Sequence, residues 1–281
     1  MSTTNRYQYR PVRFFGLTLV ATWGSWLLAY ALQSNERYAG AAGTLTTLGL
    51  LMPFVVTLLM VFGSGNRALK RDFAARLLQA RRIQPRYLAV AVALPLALMA
   101  AALSLSLLIG ESSDQLRLSS DEGLVGMIVL ALVIAPIIEE LGWRGYGVDS
   151  IRAGAGPLKT SLIFGVLWSL WHAPLTLLEG TYHHELAQME NPLYLVNFFL
   201  SVIPVAVLAN WLYYRCDRSI LLGILFHSVL NATAVLPDAT QVTKCLVTVI
   251  YAVVTIAVVR SDRTIFGAGP RNFVTGDDAN G

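Results

Sequence analysis

The chain has few charged residues and almost no cysteine. Only 14% of its 281 residues are Asp, Glu, Lys or Arg, whereas an ordinary soluble domain has about 25%. Hydrophobic residues make up 55% of the chain, and the mean hydropathy is +0.58. This composition argues against a soluble enzyme, a disordered chain and a fibrous protein. Cys216 and Cys245 are too few for a disulfide framework or a four-cysteine zinc site.

The apolar residues are gathered into runs long enough to cross a bilayer, which takes roughly 20 residues as a helix. The sequence therefore predicts an all-α, polytopic membrane bundle of about eight transmembrane helices. The expected spans are 14–33, 44–63, 87–110, 123–141, 159–178, 192–214, 219–236 and 240–259. We expect the basic stretch 65–86 to lie along the membrane interface. We also predict a single integral-membrane domain over 1–263 and a disordered tail over 264–281.

Basic residues lie almost entirely in the loops on one side of these spans. With the N-terminus inside, all but four of the 21 Lys and Arg residues fall on the cytoplasmic side. Arg37, Arg117 and Lys244 fall outside, and Arg144 lies within a motif. This pattern predicts that both termini are cytoplasmic. The charge of +4 is thereby explained without a nucleic-acid partner, and the protein is expected in the plasma membrane if it is prokaryotic.

Ionisable side chains inside a bilayer are costly and mark functional sites. The first such group is Glu-Glu-Leu-Gly-Trp-Arg, at the end of the fourth span. Adjacent helical residues point about 100° apart, so Glu139 and Glu140 face different neighbours. Glu140 and Arg144 have the i,i+4 spacing of a favourable ion pair. We therefore expect Glu140 to be neutralised by Arg144 and Glu139 to face a neighbouring helix.

Two further groups occupy two other spans. Trp168 and His172 share one helix face in the fifth span, and His227 and Asn231 share one in the seventh. His183 and His184 are expected in an outer loop and outside the site. Polar side chains in apolar helices often serve only to bond helices together. Their combination with Glu139 favours chemistry over packing.

A carboxylate, two imidazoles and an amide can hydrolyse an amide bond. Glu139 can take a proton from water that His172 orients, while His227 and Asn231 bind the oxyanion. Alternatively, Glu139, His172 and His227 can bind Zn²⁺, which activates the water. The spacing leaves both possibilities open, because no His-Glu-x-x-His pair is present on one helix.

The three motifs, in this order on separate spans, resemble the CPBP family. That family includes CAAX prenyl endopeptidases and the Abi-like proteins of bacteriocin processing and immunity. The resemblance covers about residues 120–235. It matches Glu139, Glu140 and Arg144, then His172, then His227 and Asn231; Trp168 stands where the family commonly has Phe.

The resemblance implies an intramembrane endopeptidase whose site opens toward the cytoplasm and the lipid. It implies water activation by Glu139 and His172, with His227 and Asn231 as the oxyanion site, and either a zinc or a glutamate mechanism. The implied partners are membrane lipid and a membrane-associated or lipidated protein substrate, including CAAX-type prenylated proteins.

Two other functions fit an apolar helical bundle. One is a non-catalytic bacteriocin-immunity or scaffold protein of the same fold, which would have no need for the complete polar set. The other is a transporter or proton relay. The second is disfavoured because we find no internal repeat and the ionisable groups are confined to the second half of the chain.

Overall fold

The computed structural model describes residues 7–118 and 124–274, and helices dominate both ranges. In chain order they are α1 (Pro11–Gln33), α2 (Ala39–Phe62), α3 (Arg67–Leu78), α4 (Pro85–Leu108), α5 (Leu124–Val129), α6 (Ala135–Gly142), α7 (Val148–Arg152), α8 (Pro157–Trp171), α9 (Tyr182–Gln188), α10 (Leu193–Arg215), α11 (Ile220–Val235), α12 (Gln241–Ser261) and α13 (Arg263–Phe266). The bundle is all-α, as predicted.

Six helices among the described residues are long and apolar enough to cross a membrane. They are α1, α2, α4, α10, α12, and α8 with its 3₁₀ extension to Leu177. The seventh expected span is α11, a shorter apolar helix of 16 residues. The fourth is part of a longer helix described below. The six long helices, α11 and the helix of the fourth span together agree with the estimate of about eight spans.

Side-chain caps in the sequence define where several helices begin. Asn66 accepts a hydrogen bond from the main-chain N–H of Leu69 at the start of α3, and Ser219 does the same for Leu222 at the start of α11. Proline occupies the first turn of α1, α4 and α8, where the missing N–H leaves no intrahelical bond unmade. The starting points of these helices thus follow from local chemistry.

The fourth span is a continuous helix from Leu124 to Arg152, and we call it the motif helix. It consists of α5, α6 and α7 joined by two π-helical turns, Leu130–Ile134 and Trp143–Gly147. Such turns are rare and occur frequently at functional sites. The helix thus continues twelve residues beyond Glu140, and Arg144 lies inside the protein rather than at its edge.

Close contact with α2 fixes the motif helix. A Cβ atom added to Gly142 would lie 2.6 Å from Cβ of Pro53, so only glycine permits this approach. The Thr57 hydroxyl then donates a hydrogen bond of 2.9 Å to the Gly142 carbonyl. The backbone beside the two carboxylates is therefore held by α2.

The second π turn is also held from the side by Arg76 of α3. The guanidinium of Arg76 is fully buried and donates to the carbonyl oxygens of Arg144 and Gly145. π-Helical bonding leaves main-chain carbonyls available for such partners, and buried carbonyls need one. Stretch 65–86 therefore contributes a structural arginine, in addition to basic surface charge.

Arg76 belongs to a buried group of charges that we call the arginine–aspartate cluster. Its members are Asp72, Arg76, Asp149, Tyr213 and Arg218. Asp149 bonds to Arg218 at 2.7 Å and to the Tyr213 hydroxyl at 3.1 Å. Burial by itself raises the pKa of Asp72, but the guanidiniums of Arg76 and Arg218 hold that pKa below its usual range. The cluster ties α3, α7, α10 and the start of α11 together.

The stretch after α12 has more order than its polar, glycine-rich sequence predicts. Residues 263–266 form α13, and Val274 is only 2% exposed. The guanidiniums of Arg218 and Arg271 lie 4.0 and 5.1 Å from the centre of the Phe273 ring. The expectation of disorder therefore does not hold for 264–274, because these cation–π contacts stabilise the segment. Residues 275–281 lie outside the described residues.

Candidate active site

Glu139 and Glu140 point to different sides of the motif helix, as predicted. Both carboxylates are buried, at 5% and 1% exposure. Glu139 is bonded to aromatic side chains, and Glu140 to charged or polar ones. Neighbouring residues of the same type therefore lie in different chemical environments.

Two indole N–H groups hold the carboxylate of Glu139. Trp168 Nε1 donates to Glu139 Oε2 at 2.8 Å, and Trp143 Nε1 donates to the same oxygen at 3.2 Å. Oε1 of Glu139 has no hydrogen bond to any residue of the described ranges. This carboxylate is therefore fixed through one oxygen and has the other available for a reactant.

Glu140 lies between Arg144 and His227. Arg144 Nη1 and His227 Nδ1 both donate to Glu140 Oε1, at 2.6 and 3.0 Å. The predicted ion pair with Arg144 is present. The bond to His227 was not predicted, and it links the first motif directly to the third. Glu140 consequently orients an imidazole as well as balancing a charge.

Small and aromatic neighbours make room for this ion pair. A Cβ atom added to Gly223 would lie 2.9 Å from Glu140 Oε2, so glycine at this position of α11 admits the carboxylate. The Arg144 guanidinium lies 5.0 Å from the ring centre of Phe164 and 5.7 Å from that of Trp168. Cation–π attraction thus supplements the one hydrogen-bonded contact of Arg144 to Glu140.

His172 lies at the C-terminus of α8, where its ring is fixed at one nitrogen. His172 Nδ1 is 2.7 Å from the carbonyl oxygen of Trp168. A carbonyl oxygen only accepts, so Nδ1 carries the proton and Nε2 of neutral His172 has a free lone pair. The ring is therefore in the tautomer that can accept a hydrogen bond from water.

Asn231 lies one turn beyond His227 on α11, on the same face. Its Nδ2 donates to the carbonyl oxygen of Ala131 at 2.7 Å, within the first π turn. An amide nitrogen has two protons, so a second one stays available to another acceptor. The π turn thus provides the carbonyl that orients Asn231.

Trp168 brings the predicted residues together. Its ring centre lies 5.4 Å from that of His227 and 6.2 Å from that of His172, and its N–H bonds to Glu139. Glu139, Arg144, His172 and His227 therefore lie around one indole, and Glu140 is joined to them by its bonds to Arg144 and His227. Asn231 adjoins them through α11.

The proposed zinc ligands do not form a metal site in this arrangement. No three His, Cys, Asp or Glu side chains among the described residues are grouped so that they could hold one metal ion. The geometry therefore does not fit a three-ligand zinc centre, and no chemical step is assigned to a metal here.

Two residues near the site were not predicted. Trp143 stands at i+4 from Glu139, a spacing that would have identified it as a neighbour. His183, expected in an outer loop away from the site, lies with its ring centre 5.3 Å from that of His172. Nothing in the sequence separates it from His184, which bonds instead to the Thr176 carbonyl.

Comparison with known proteins supports the same interpretation. The profile of the Rce1-like family, described as type II CAAX prenyl endopeptidases, matches residues 121–233. These residues contain all three motifs. A protein of Methanococcus maripaludis named CAAX prenyl protease 2 is 32% identical over 264 residues, which cover 92% of this chain and 97% of the relative.

The similarity extends well beyond the matched motifs, because the alignment with this relative covers 92% of the chain, whereas the family profile matches residues 121–233. The three motifs, the helical bundle that holds them and the near full-length relative all agree. Of the functions that fit the sequence, the intramembrane endopeptidase is the one that these findings support. This chain belongs to the Rce1-like family of CAAX prenyl endopeptidases, which makes it an intramembrane protease of that type.

Proposed function

We propose that Glu139 and His172 activate the water that cleaves the peptide bond. The free Glu139 Oε1 takes a proton from water, and His172 Nε2 accepts the other water proton in a hydrogen bond. The water oxygen attacks the scissile carbonyl carbon and gives a tetrahedral oxyanion. Glu139 then passes its proton to the leaving nitrogen as the C–N bond breaks. Proton uptake and release by one carboxylate balance the reaction.

His227 and Asn231 form the oxyanion site in this proposal. Asn231 has one amide proton beyond that given to Ala131. His227 Nδ1 already donates to Glu140, so its Nε2 donates to the oxyanion only as an imidazolium. The Glu140 carboxylate next to it stabilises that cation. Donors aimed at the developing charge are commonly a large part of catalysis.

The observation that carries this proposal is the double indole contact to Glu139 Oε2. It holds a buried carboxylate without neutralising it by a cation. The Glu140 carboxylate, by contrast, is paired with Arg144. Of the two carboxylates, Glu139 is therefore the one suited to exchange a proton.

We further propose that the substrate is a membrane-anchored protein with a prenylated cysteine near its C-terminus. The relative from Methanococcus maripaludis is named a CAAX prenyl protease, and a lipid anchor delivers a polypeptide to a site among membrane helices. The distribution of basic residues supports cytoplasmic termini. We accordingly propose that the reaction takes place at the cytoplasmic side of the membrane, which is the plasma membrane if the protein is prokaryotic.

The test is cleavage of matched C-terminal peptides, with and without a farnesylated cysteine, by purified protein in detergent. Mass spectrometry would identify the cleaved bond. We expect wild type to cut the farnesylated peptide next to the modified cysteine and Glu139→Gln to leave it intact. Glu190→Gln, in an exposed turn, is the matched control and should be fully active. Equal cleavage by Glu139→Gln and wild type would overturn the role proposed for Glu139. Preference for the peptide without the farnesyl group would overturn the proposal that the substrate is prenylated.

A further inference from the structure

The ring of His183 packs on the ring of His172. Their centres are 5.3 Å apart and their planes differ by 21°. The Phe198 ring closes the group edge-on, 4.4 Å from His183 and 5.4 Å from His172. These three rings therefore contact each other, and we call them the His172 ring cluster.

His183 reaches this cluster from α9, outside the long apolar helices. Thr181 caps the N-terminus of this helix, because its hydroxyl accepts a hydrogen bond from the main-chain N–H of His184 at 3.1 Å. The His184 ring bonds to the Thr176 carbonyl at 3.0 Å, and Leu186 is 1% exposed. These contacts anchor α9 against the segment that follows His172, so the position of the His183 ring is fixed by its own helix.

One hydrogen bond does not fix the orientation of an imidazole. The bond from His172 Nδ1 to Trp168 holds one atom, while the ring plane can still tilt about that point. Of the four aromatic rings that the described residues place within 6.2 Å of the His172 ring centre, three meet it at 44° to 80°. His183 is nearly parallel to it and covers one face. A flat neighbour on that face prevents the tilt that the hydrogen bond permits.

We propose that His183 is a positioning residue that holds the His172 ring in its productive plane. This inference rests on the proposed role of His172 in activating water. His183 Nε2 is enclosed and has no hydrogen-bond partner among the described residues. Its contribution is therefore the face of the ring rather than a proton or a hydrogen bond. An aromatic ring without nitrogen should serve equally well.

The experiment compares His183→Ala, His183→Phe and Gln188→Ala in the full-length protein. His183→Ala removes the ring, His183→Phe keeps a flat ring, and Gln188→Ala changes an exposed residue of the same helix. We expect His183→Ala to lower kcat about tenfold at unchanged KM, since misplacing a reacting group by ~1 Å can cost ~10²-fold. His183→Phe should restore most of the rate, and Gln188→Ala should match wild type. Loss in His183→Phe equal to that in His183→Ala, or full activity of His183→Ala, would overturn the proposal.

A second measurement does not depend on activity. Site-resolved mass spectrometry after treatment with diethyl pyrocarbonate reports how accessible the His172 imidazole is. We expect carbethoxylation of His172 to rise in His183→Ala and to stay at the wild-type level in His183→Phe and Gln188→Ala. An unchanged level in His183→Ala would count against the packing role. Failure of wild type to cleave any peptide would count against the proposed function alone, because this reactivity would still test the contact.

Discussion

The indole nitrogen of Trp168 lies 2.8 Å from Oε2 of Glu139 and donates a hydrogen bond to it. Phe, which is common at this position in proteins with similar motifs, cannot make this bond. The substitution of one aromatic residue for another therefore changes the chemistry around the proposed base. The hydrogen bond from Trp168 to Glu139 also joins the second motif to the first.

Trp168→Phe should lower kcat by roughly 10- to 100-fold, since a hydrogen bond to a charged group contributes about 1.5–3 kcal/mol. Steady-state kinetics on a cleavable peptide would measure this. Trp211→Phe is the matched control, because its indole N–H also donates to a carboxylate, that of Asp262 at 2.7 Å, and its ring packs on Tyr87 rather than on a residue of the site. It should lose stability and keep its kcat. Similar kcat losses in both variants would mean that packing, not the bond to Glu139, is responsible.

Asn231→Ala should lower kcat by about 10²–10³, the usual loss on removing one oxyanion donor. The control is Asn210→Ala, which removes another buried helix-bridging amide, bonded to Ser161 at 3.1 Å. That variant should unfold at a lower temperature and keep its turnover. An Asn231→Ala protein with wild-type kcat would remove this residue from the mechanism.

Gly223→Ala should impair activity, because the new Cβ atom would be 2.9 Å from Glu140 Oε2. Displacing that carboxylate disturbs its bond to His227. Gly24→Ala is the control, since no neighbour lies within 4 Å of its added Cβ. Alanine is favoured over glycine inside a helix by about 1 kcal/mol, so Gly24→Ala should be slightly stabilised and fully active. Unaltered activity of Gly223→Ala would show that Glu140 tolerates displacement.

The pKa of Asp72 is lowered by Arg76 and Arg218 against the opposing effect of burial. Its stabilising contribution is therefore present above the unfolded-state pKa of about 3.9 and is lost as the pH falls through the folded-state value. Asp72→Asn should lower the unfolding temperature at neutral pH and reduce its decline in acid. Thermal unfolding in detergent across this pH range would test it. The control is Asp114→Asn, which removes an exposed carboxylate and should leave the dependence of the unfolding temperature on pH unchanged. If Asp72→Asn showed the same pH dependence as wild type, the stabilising role of Asp72 with Arg76 and Arg218 would be contradicted.

Dialysis against a strong chelator should leave peptide cleavage intact, because no three candidate ligands in the described part of the chain are grouped so that they could hold one metal ion. Zinc content measured on the same samples by mass spectrometry should be well below one per chain. Activity that disappears on chelation and returns with added zinc would instead establish the metal mechanism.

Much of this arrangement follows from sequence periodicity. The apolar runs predict the long helices, and the i,i+4 spacing predicts the Glu140–Arg144 pair. Those are local relationships, in which chain distance determines spatial distance. The expected division of labour between Glu139 and Glu140 has the same origin.

Contacts between distant segments were not predictable in the same way. The bond from His227 to Glu140 spans 87 residues, and no local spacing encodes it. The contact of His183 with His172 depends on α9, a seven-residue polar helix within a stretch that reads as a loop. The order in 264–274 arises from Phe273 packing against arginines, which composition does not reveal.

The two π turns have a consequence for comparing this chain with its relatives. Each turn accommodates one residue more than regular α-helical winding, and one residue corresponds to a rotation of about 100°. A single-residue insertion or deletion between Trp143 and Gly147 would therefore turn Asp149 away from Arg218 without changing any loop. An alignment gap within this helix thus means that the side chains after it have moved to another face of the helix. A helical-wheel diagram that assumes regular α-helical winding through a π turn will place every later residue on the wrong face.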